Sequence, residues 1–317
     1  MSGGSKRYLM KAVASSVAVT SIGVLPLFLG RFQVVLLTEV IIWGVFALSF
    51  NLIYGYTGML SFGQSMFFGA GAYILTYGII WEFGLPLSLV MVALGGALLG
   101  LIVGAVAVRV RGAKFFLVTL VGAILFHLIA LDNRWLTGGD DGLLVPLQFR
   151  GITENFYLIY GFGLFVGLVT FAIVKSPVGL VFRMIKGDRE RAELLGYWTD
   201  GYRILSFAIG GAIAALAGGL YGYTTGFVSA DFFHWSYSAD AVVWTVLGGS
   251  GTIAGPFVGA ALLTFIREVL SSTWGVVYPV LVGLLLVGLV LGFPDGVVGL
   301  LGRISSRYSD KKGADGG

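Results

Sequence analysis

Long apolar runs separated by short charged loops set the pattern of the chain. They predict helices over Ala12–Gly30, Phe32–Tyr54, Met59–Trp81, Pro86–Val108, Phe115–Leu131, Phe156–Val174, Ile204–Thr224 and Val276–Leu291. Most are close to the roughly 20 residues that cross a bilayer core. Between the seventh run and the last lies AVVWTVLGGSGTIAGPFVGAALLTF, in which glycine divides a weak eighth segment (239–250) from a ninth. Counting both as crossings gives an all-α membrane bundle of about ten transmembrane helices.

Two places in this pattern are irregular. From Val40 through Trp81 no residue is charged, yet NLIYGYTGMLSFGQSMFFGAGAY (51–73) is interrupted by Gly55, Gly58, Gly63, Gly69 and Gly71. The second is the break at Gly248, Gly249, Gly251, Gly255 and Pro256. Unpaired backbone groups are costly in hydrocarbon, so a broken helix persists only against protein or a water-lined cavity. Interrupted segments at corresponding places in two halves point to a transport route; packing through small residues is the alternative use of such glycines. The candidate pathway residues are therefore Asn51, Tyr54, Thr57, Ser61, Gln64 and Ser65 from the first break, and Gly248, Gly249, Ser250 and Thr252 from the second.

Charge then orients the helices. Lys6, Arg7 and Lys11 precede the first run; Arg109, Arg111 and Lys114 form a basic loop; a long polar segment covers Lys175–Arg203; and the tail carries Arg303, Arg307, Lys311 and Lys312. Lys and Arg accumulate in cytoplasmic loops, so both termini are expected inside. The loop with Asp132, Asp140, Asp141 and Glu154 is expected outside. Residues 1–302 then form one transmembrane domain, and 303–317 a disordered cytoplasmic tail. In the longest inner segment, Asp188 can cap a short helix with apolar Ala192, Leu194 and Leu195 opposite charged Arg189, Glu190, Arg191 and Glu193, ended by Gly196. A solvated, topology-setting loop is the alternative.

Composition removes several classes of function. Charged residues make up 11% of the chain and hydrophobic residues 57%, with a mean hydropathy of +0.93, far from the roughly 25% charge of soluble domains. The net charge of +4 belongs to the loops and implies no nucleic acid. With no cysteine and two histidines, neither a thiol nucleophile nor a Cys/His metal site is expected. No G-x-x-x-x-G-K-[ST] loop is present, so ATP is not bound by that route, and no cofactor is implied. An ion-coupled carrier is the competing transporter class, a non-transport scaffold the competing structural one. Only Glu39 lies clearly within an apolar run, with Arg31 able to reach it by snorkelling. His127 reads as a packed histidine.

Five ordered motifs resemble the larger permease subunit of branched-chain amino-acid ABC importers: NLIYGYTGMLSFGQSMFFGAGAY, LTGGDDGL, GDRERAELLGY, VLGGSGTIAGPFVGA and FPDGVVGL. The resemblance extends from about Leu37 to Leu301. Departures are Gln64 where many members carry His, Gly187 where Asn is common, and Ala230 where Pro is frequent. The resemblance implies a non-enzymatic permease in a prokaryotic plasma (inner) membrane. Its implied partners are a homologous second permease, two cytoplasmic ATP-binding subunits, an extracytoplasmic binding protein and the surrounding lipid. It also implies that Asp188, Arg189, Glu190, Ala192, Leu195 and Gly196 form the helix that docks on the ATPase. The cargo implied is branched-chain amino acids, with urea or short amides as the alternative within the same architecture.

Overall fold

The structure, a computed structural model, describes residues 20–110, 112–146, 151–274, 283 and 296–299. The greater part of the first apolar run lies outside these residues, as do nearly all of Val276–Leu291 and the tail. What is described of the first run ends in a 3-10 turn at Leu25–Leu27. The helices that follow are α1 (Arg31–Asn51), α2 (Gln64–Ile80), α3 (Gly84–Ala107), α4 (Ala113–Asp132), α5 (Arg134–Thr137), α6 (Ile152–Lys175), α7 (Pro177–Gly187), α8 (Arg189–Leu194), α9 (Thr199–Thr225), α10 (Trp235–Gly248) and α11 (Ala254–Trp274).

Among the described residues, six helices are long and apolar enough to cross a membrane: Arg31–Tyr56, Gly84–Ala107, Lys114–Asp132, Ile152–Lys175, Thr199–Thr225 and Ala254–Ser271. The fold is thus that of a polytopic helical membrane protein. At ~1.5 Å per residue, α2 and α10 measure roughly 26 and 21 Å, short of a ~30 Å hydrocarbon core. Both adjoin a non-helical stretch. A Leu52–Tyr56 π-helical turn closes α1, and helix resumes only at Gln64, five residues later than the apolar run alone suggests. Met59, Leu60 and Phe62 are as hydrophobic as a helix yet lie in the connection.

Helix α9 occupies the centre, packed against α1, α2 and α3. Small residues make this approach possible. In α3 the buried positions Val92, Gly96, Gly100 and Gly104 recur every fourth residue, forming one stripe. A methyl group built on Gly96 would lie 2.7 Å from the Gly211 carbonyl oxygen, and one on Gly100 would strike Phe207. From the other side, Gly71 abuts Ala215 and Gly218 abuts Phe68, backbone to backbone. Without a hydrophobic drive between helices in lipid, such close van der Waals approach is what holds them. The opposite face of α3 presents Leu94, Leu98, Ile102 and Val106 outward, suited to lipid tails.

The bundle has two distinct ends. At one, Leu143–Leu144 pairs antiparallel with Phe227–Val228, a two-residue ladder the helical periodicity did not reveal. Tyr73 donates its hydroxyl to the Thr137 carbonyl there (2.9 Å), and His127 Nδ1 lies 3.0 Å from the Ala230 carbonyl oxygen. At the other end sit α7 and α8. Within the polar segment Lys175–Arg203, α7 is a helix not expected from sequence: its Gly179, Val181, Phe182 and Ile185 are buried, and Pro177 starts it with a fixed φ.

Candidate functional site

Of the residues singled out at the two breaks, Asn51 and Thr252 meet directly. Asn51, fully buried, ends α1 and bridges to the second break: its Nδ2 donates to the Thr252 carbonyl (2.7 Å), and its Oδ1 accepts from the Gly251 amide (2.8 Å). One amide side chain thereby satisfies a donor and an acceptor of irregular backbone. Gly55 packs onto the same spot, where an added methyl would lie 2.6 Å from the Gly251 nitrogen. On the second segment, Gly249 adopts φ +118°, a conformation open in practice to glycine. Thr252 then caps α11, its hydroxyl donating to the Gly249 carbonyl (2.9 Å) and accepting from the Gly255 amide (3.0 Å).

The remaining polar groups serve the first break from within. Thr57 returns its hydroxyl to the Leu52 carbonyl (3.0 Å), and Ser61 accepts from the Gly63 amide (3.2 Å). Ser65 meets Ser238 of α10 twice, amide to hydroxyl at 2.9 Å and hydroxyl to hydroxyl at 3.1 Å. Gln64 accepts from Ser49 (3.2 Å), while its buried Nε2 has no acceptor. Tyr54 stacks on Phe50 and stays half-buried, and Ser250 is exposed; neither joins the Asn51 bridge. Asn51, Thr57, Ser61, Gln64 and Ser65 are all at most 2% exposed, so in this conformation their polar atoms, the Gln64 Nε2 excepted, engage the chain's own backbone and side chains.

The sequence reading missed two basic residues that hold this region. Lys186 of α7 donates its Nζ to the Gly55 carbonyl (2.7 Å), tying the amphipathic helix to the π turn. Arg203, taken as one more charge of a basic segment, is buried; it donates to the Val108 carbonyl (3.2 Å) and to Met59 Sδ (3.1 Å). The signal available was their placement beside apolar residues, Ile185 before one and Ile204 after the other.

Below the break, Asp188 caps α8 by accepting from the Arg191 amide (3.1 Å). Gly196, at φ +87°, closes it with paired bonds from its own amide to Glu193 and from the Tyr197 amide to Ala192, a Schellman-type end. Arg189 bridges Glu193 (2.6 Å) and Asp200 (3.0 Å), and Glu190 is exposed. Ala192 faces inward onto Val181 and Ile185. A side chain at Gly196 would meet open space. The outward apolar residues are instead Leu194, Leu195 and Trp198, at 87%, 67% and 74% exposure.

At the other end of the bundle Glu39 does not pair with Arg31. It faces Glu268 of α11 across a cavity of about 260 Å³ that Asp240 and Arg267 also line. Among the described residues no group of three His, Asp or Glu side chains has metal-binding geometry.

The described residues thus define a polytopic helical membrane protein. Its family is that of the matching model, described as "Branched-chain amino acid transport system / permease component", which covers residues 33–293; the chain belongs to this family. It is 27% identical over 282 residues to the high-affinity branched-chain amino acid transport system permease protein LivM of Escherichia coli (strain K12), covering 78% of this chain and 65% of that relative. To the corresponding permease protein LivH of Salmonella typhimurium it is 30% identical over 283 residues, covering 81% and 91%. BraD of Pseudomonas aeruginosa, a permease protein of the same description, is 25% identical over 283 residues with the same coverage. No solved structure matches the chain.

Proposed function

We propose that the chain is the larger permease subunit of an ATP-driven importer and forms the translocation route for branched-chain amino acids. The observation that carries this reading is the family match over residues 33–293. Energy would come from two ATP-binding subunits on the cytoplasmic face. A homologous second permease completes the route, and an extracytoplasmic binding protein delivers cargo. The route runs through the two glycine-broken segments, with Asn51, Tyr54, Thr57, Ser61, Gln64, Ser65, Gly248, Gly249, Ser250 and Thr252 turning toward cargo as the subunits move. Ten helices cross the membrane in this reading, with both termini and α7–α8 in the cytoplasm and the Leu143–Phe227 ladder outside. The solvent-facing Leu194, Leu195 and Trp198 beside Gly196 support docking of α8 in an ATPase groove, since short amphipathic helices anchor through such apolar groups.

The test is co-purification of the chain with its partners, followed by reconstitution. ATP-dependent leucine uptake that requires the binding protein is the expected result. Uptake driven by an ion gradient in the chain alone would replace this reading with a secondary carrier, and uptake of urea in place of leucine would replace the cargo.

A further inference from the structure

At the end of the bundle that carries the Leu143–Phe227 ladder, a cavity of about 510 Å³ opens between α2, α3 and α4. Tyr73, Ile74 and Tyr77 of α2, Met91 of α3, and Phe126 and Ile129 of α4 form most of its wall. The polar groups around it are already engaged. Tyr73 and Tyr77 give their hydroxyls to the Thr137 and Leu136 carbonyls, Thr137 bonds the Ala130 carbonyl, and Asn133 Nδ2 bonds the Ile129 carbonyl. The surface left over is ring and methylene, which suits an apolar occupant. At ~1.5 Å per residue, the stretch Phe126–Asn133 makes the slot roughly 10 Å deep, within one leaflet of a ~30 Å hydrocarbon core. Its mouth opens sideways: Trp81 and Ile129 are exposed there, with outward Val121, Leu125 and Leu128 beneath them on α4. On α3, exposed Leu87, Leu94 and Leu98 share a face with Met91. Lipid therefore lies directly in front of the slot.

The polar end of the site is an independent observation. Ile129 and Asn133 also line a second cavity, of about 590 Å³, whose wall includes Asp132 and Arg134. Both charged side chains are exposed, and among the described residues neither has an ion-pair or hydrogen-bond partner, in each other or elsewhere. Asp132 is the last residue of α4, the negative end of the helix dipole, where a cation is favoured and a carboxylate is not. The stem of Arg134 rests on Gly139, where an added methyl would lie 2.9 Å from its Cγ, so the guanidinium is held at the rim. Trp135 beside it is 82% exposed; with Trp81 it places this level at the membrane–water interface, where tryptophans gather.

One cationic and one anionic group thus stand at the interface above a lipid-facing apolar slot, the reverse image of a zwitterionic phospholipid. We propose that the two cavities together hold one phosphatidylethanolamine molecule. An acyl chain lies in the slot between α2, α3 and α4, the phosphate meets Arg134, and the ammonium meets Asp132 and the C-terminal end of α4. Phosphatidylglycerol offers the phosphate without a cation. Phosphatidylcholine offers a cation whose methyl groups leave no N–H to donate. The site depends only on the membrane fold and is independent of what the chain transports.

The full-length chain in detergent tests this when titrated with phosphatidylethanolamine, phosphatidylglycerol or phosphatidylcholine of identical acyl chains and read by native mass spectrometry. One phosphatidylethanolamine should be retained per chain, roughly tenfold more tightly than either other lipid, the worth of one charge-assisted hydrogen bond. Arg134→Gln should weaken all three lipids roughly tenfold, since each carries the phosphate. Asp132→Asn should remove the preference for phosphatidylethanolamine and leave phosphatidylglycerol no weaker than before. Both side chains are exposed, so these two variants keep the fold. Met91→Trp, which fills the slot, should weaken all three lipids without changing their order. A phosphatidylethanolamine with a photoreactive group within its acyl chain should crosslink to the slot residues of α2, α3 and α4. The proposal is overturned if the three lipids are retained alike, if neither charge variant alters retention, or if the crosslinks fall outside the slot. Sensitivity to Met91→Trp alone would mark a slot for any apolar chain and overturn the headgroup assignment. Loss of the lipid when the second permease joins the complex would overturn the proposal in favour of a subunit contact.

Discussion

Asn51 and Gln64 lie 13 positions apart in one polar, glycine-rich stretch, yet their surroundings predict opposite responses to substitution. Asn51 uses both ends of its amide on the second segment. Asn51→Asp removes the donor and leaves the Thr252 carbonyl facing a carboxylate, so a loss of about 1–3 kcal/mol or more is expected, seen as a lower midpoint in thermal unfolding of the purified chain. Gln64 already has a buried amide nitrogen with no acceptor. Replacing it with an apolar side chain of similar length removes that penalty together with one Ser49 bond. Gln64→Met should therefore unfold within about 1 kcal/mol of the native chain. If its uptake nonetheless falls in matched preparations, Gln64 contributes to transport itself and not to folding.

Among the elements, the seam between α3 and α9 separates glycines that are required from glycines that are not. Gly100→Ala places a methyl 2.9 Å from the Ala208 Cα and should destabilise by about 1–3 kcal/mol, as overpacked cores do. Gly167→Ala in α6 meets nothing within 4 Å and should be neutral or stabilising by up to ~1 kcal/mol through helix propensity. Paired melting curves in one detergent check both. Just past α8, Leu195→Glu should abolish co-purification of the ATPase while leaving membrane insertion unchanged. Gly196→Asn, tolerant of positive φ, should disturb docking less than Gly196→Val.

These cases also mark how far the sequence could be read. Apolar length and basic loops located α1, α3, α4, α6 and α9 to within about five residues, because helices that cross a bilayer need a long apolar run whether they face lipid or the bundle. Asp188 and Gly196 were legible as a cap and a stop. The inward turn of Ala192 was not, since a six-residue helix has too few positions to define a face. The pairing of Leu143 with Val228 and the meeting of Glu39 with Glu268 join distant parts of the chain, and no local period encodes them. Arg31 was the nearest opposite charge to Glu39 in sequence, but helix packing brought α11 to Glu39 instead.

For the whole molecule, the two ends of the bundle provide a direct check of topology. The chain has no cysteine, so single cysteines report without background. Asp140→Cys, in the exposed loop before the two-residue ladder, should react with an impermeant reagent added outside intact cells. Gly187→Cys, at the end of α7, should react only after permeabilisation. Reversed labelling would invert the proposed orientation.

Lys186 gives this arrangement a mechanical meaning. Its grip on the Gly55 carbonyl links α7 to the π turn, Gly55 rests on Gly251, and Asn51 clasps the same residue. A push on α8 from below thus has a short, stiff linkage to both helix breaks, with one ammonium group as its pin. Lys186→Met keeps the length of the stem and removes the pin. The transporter should then still assemble and hydrolyse ATP, yet turn over with little cargo moved per ATP, as an engine runs with its clutch disengaged.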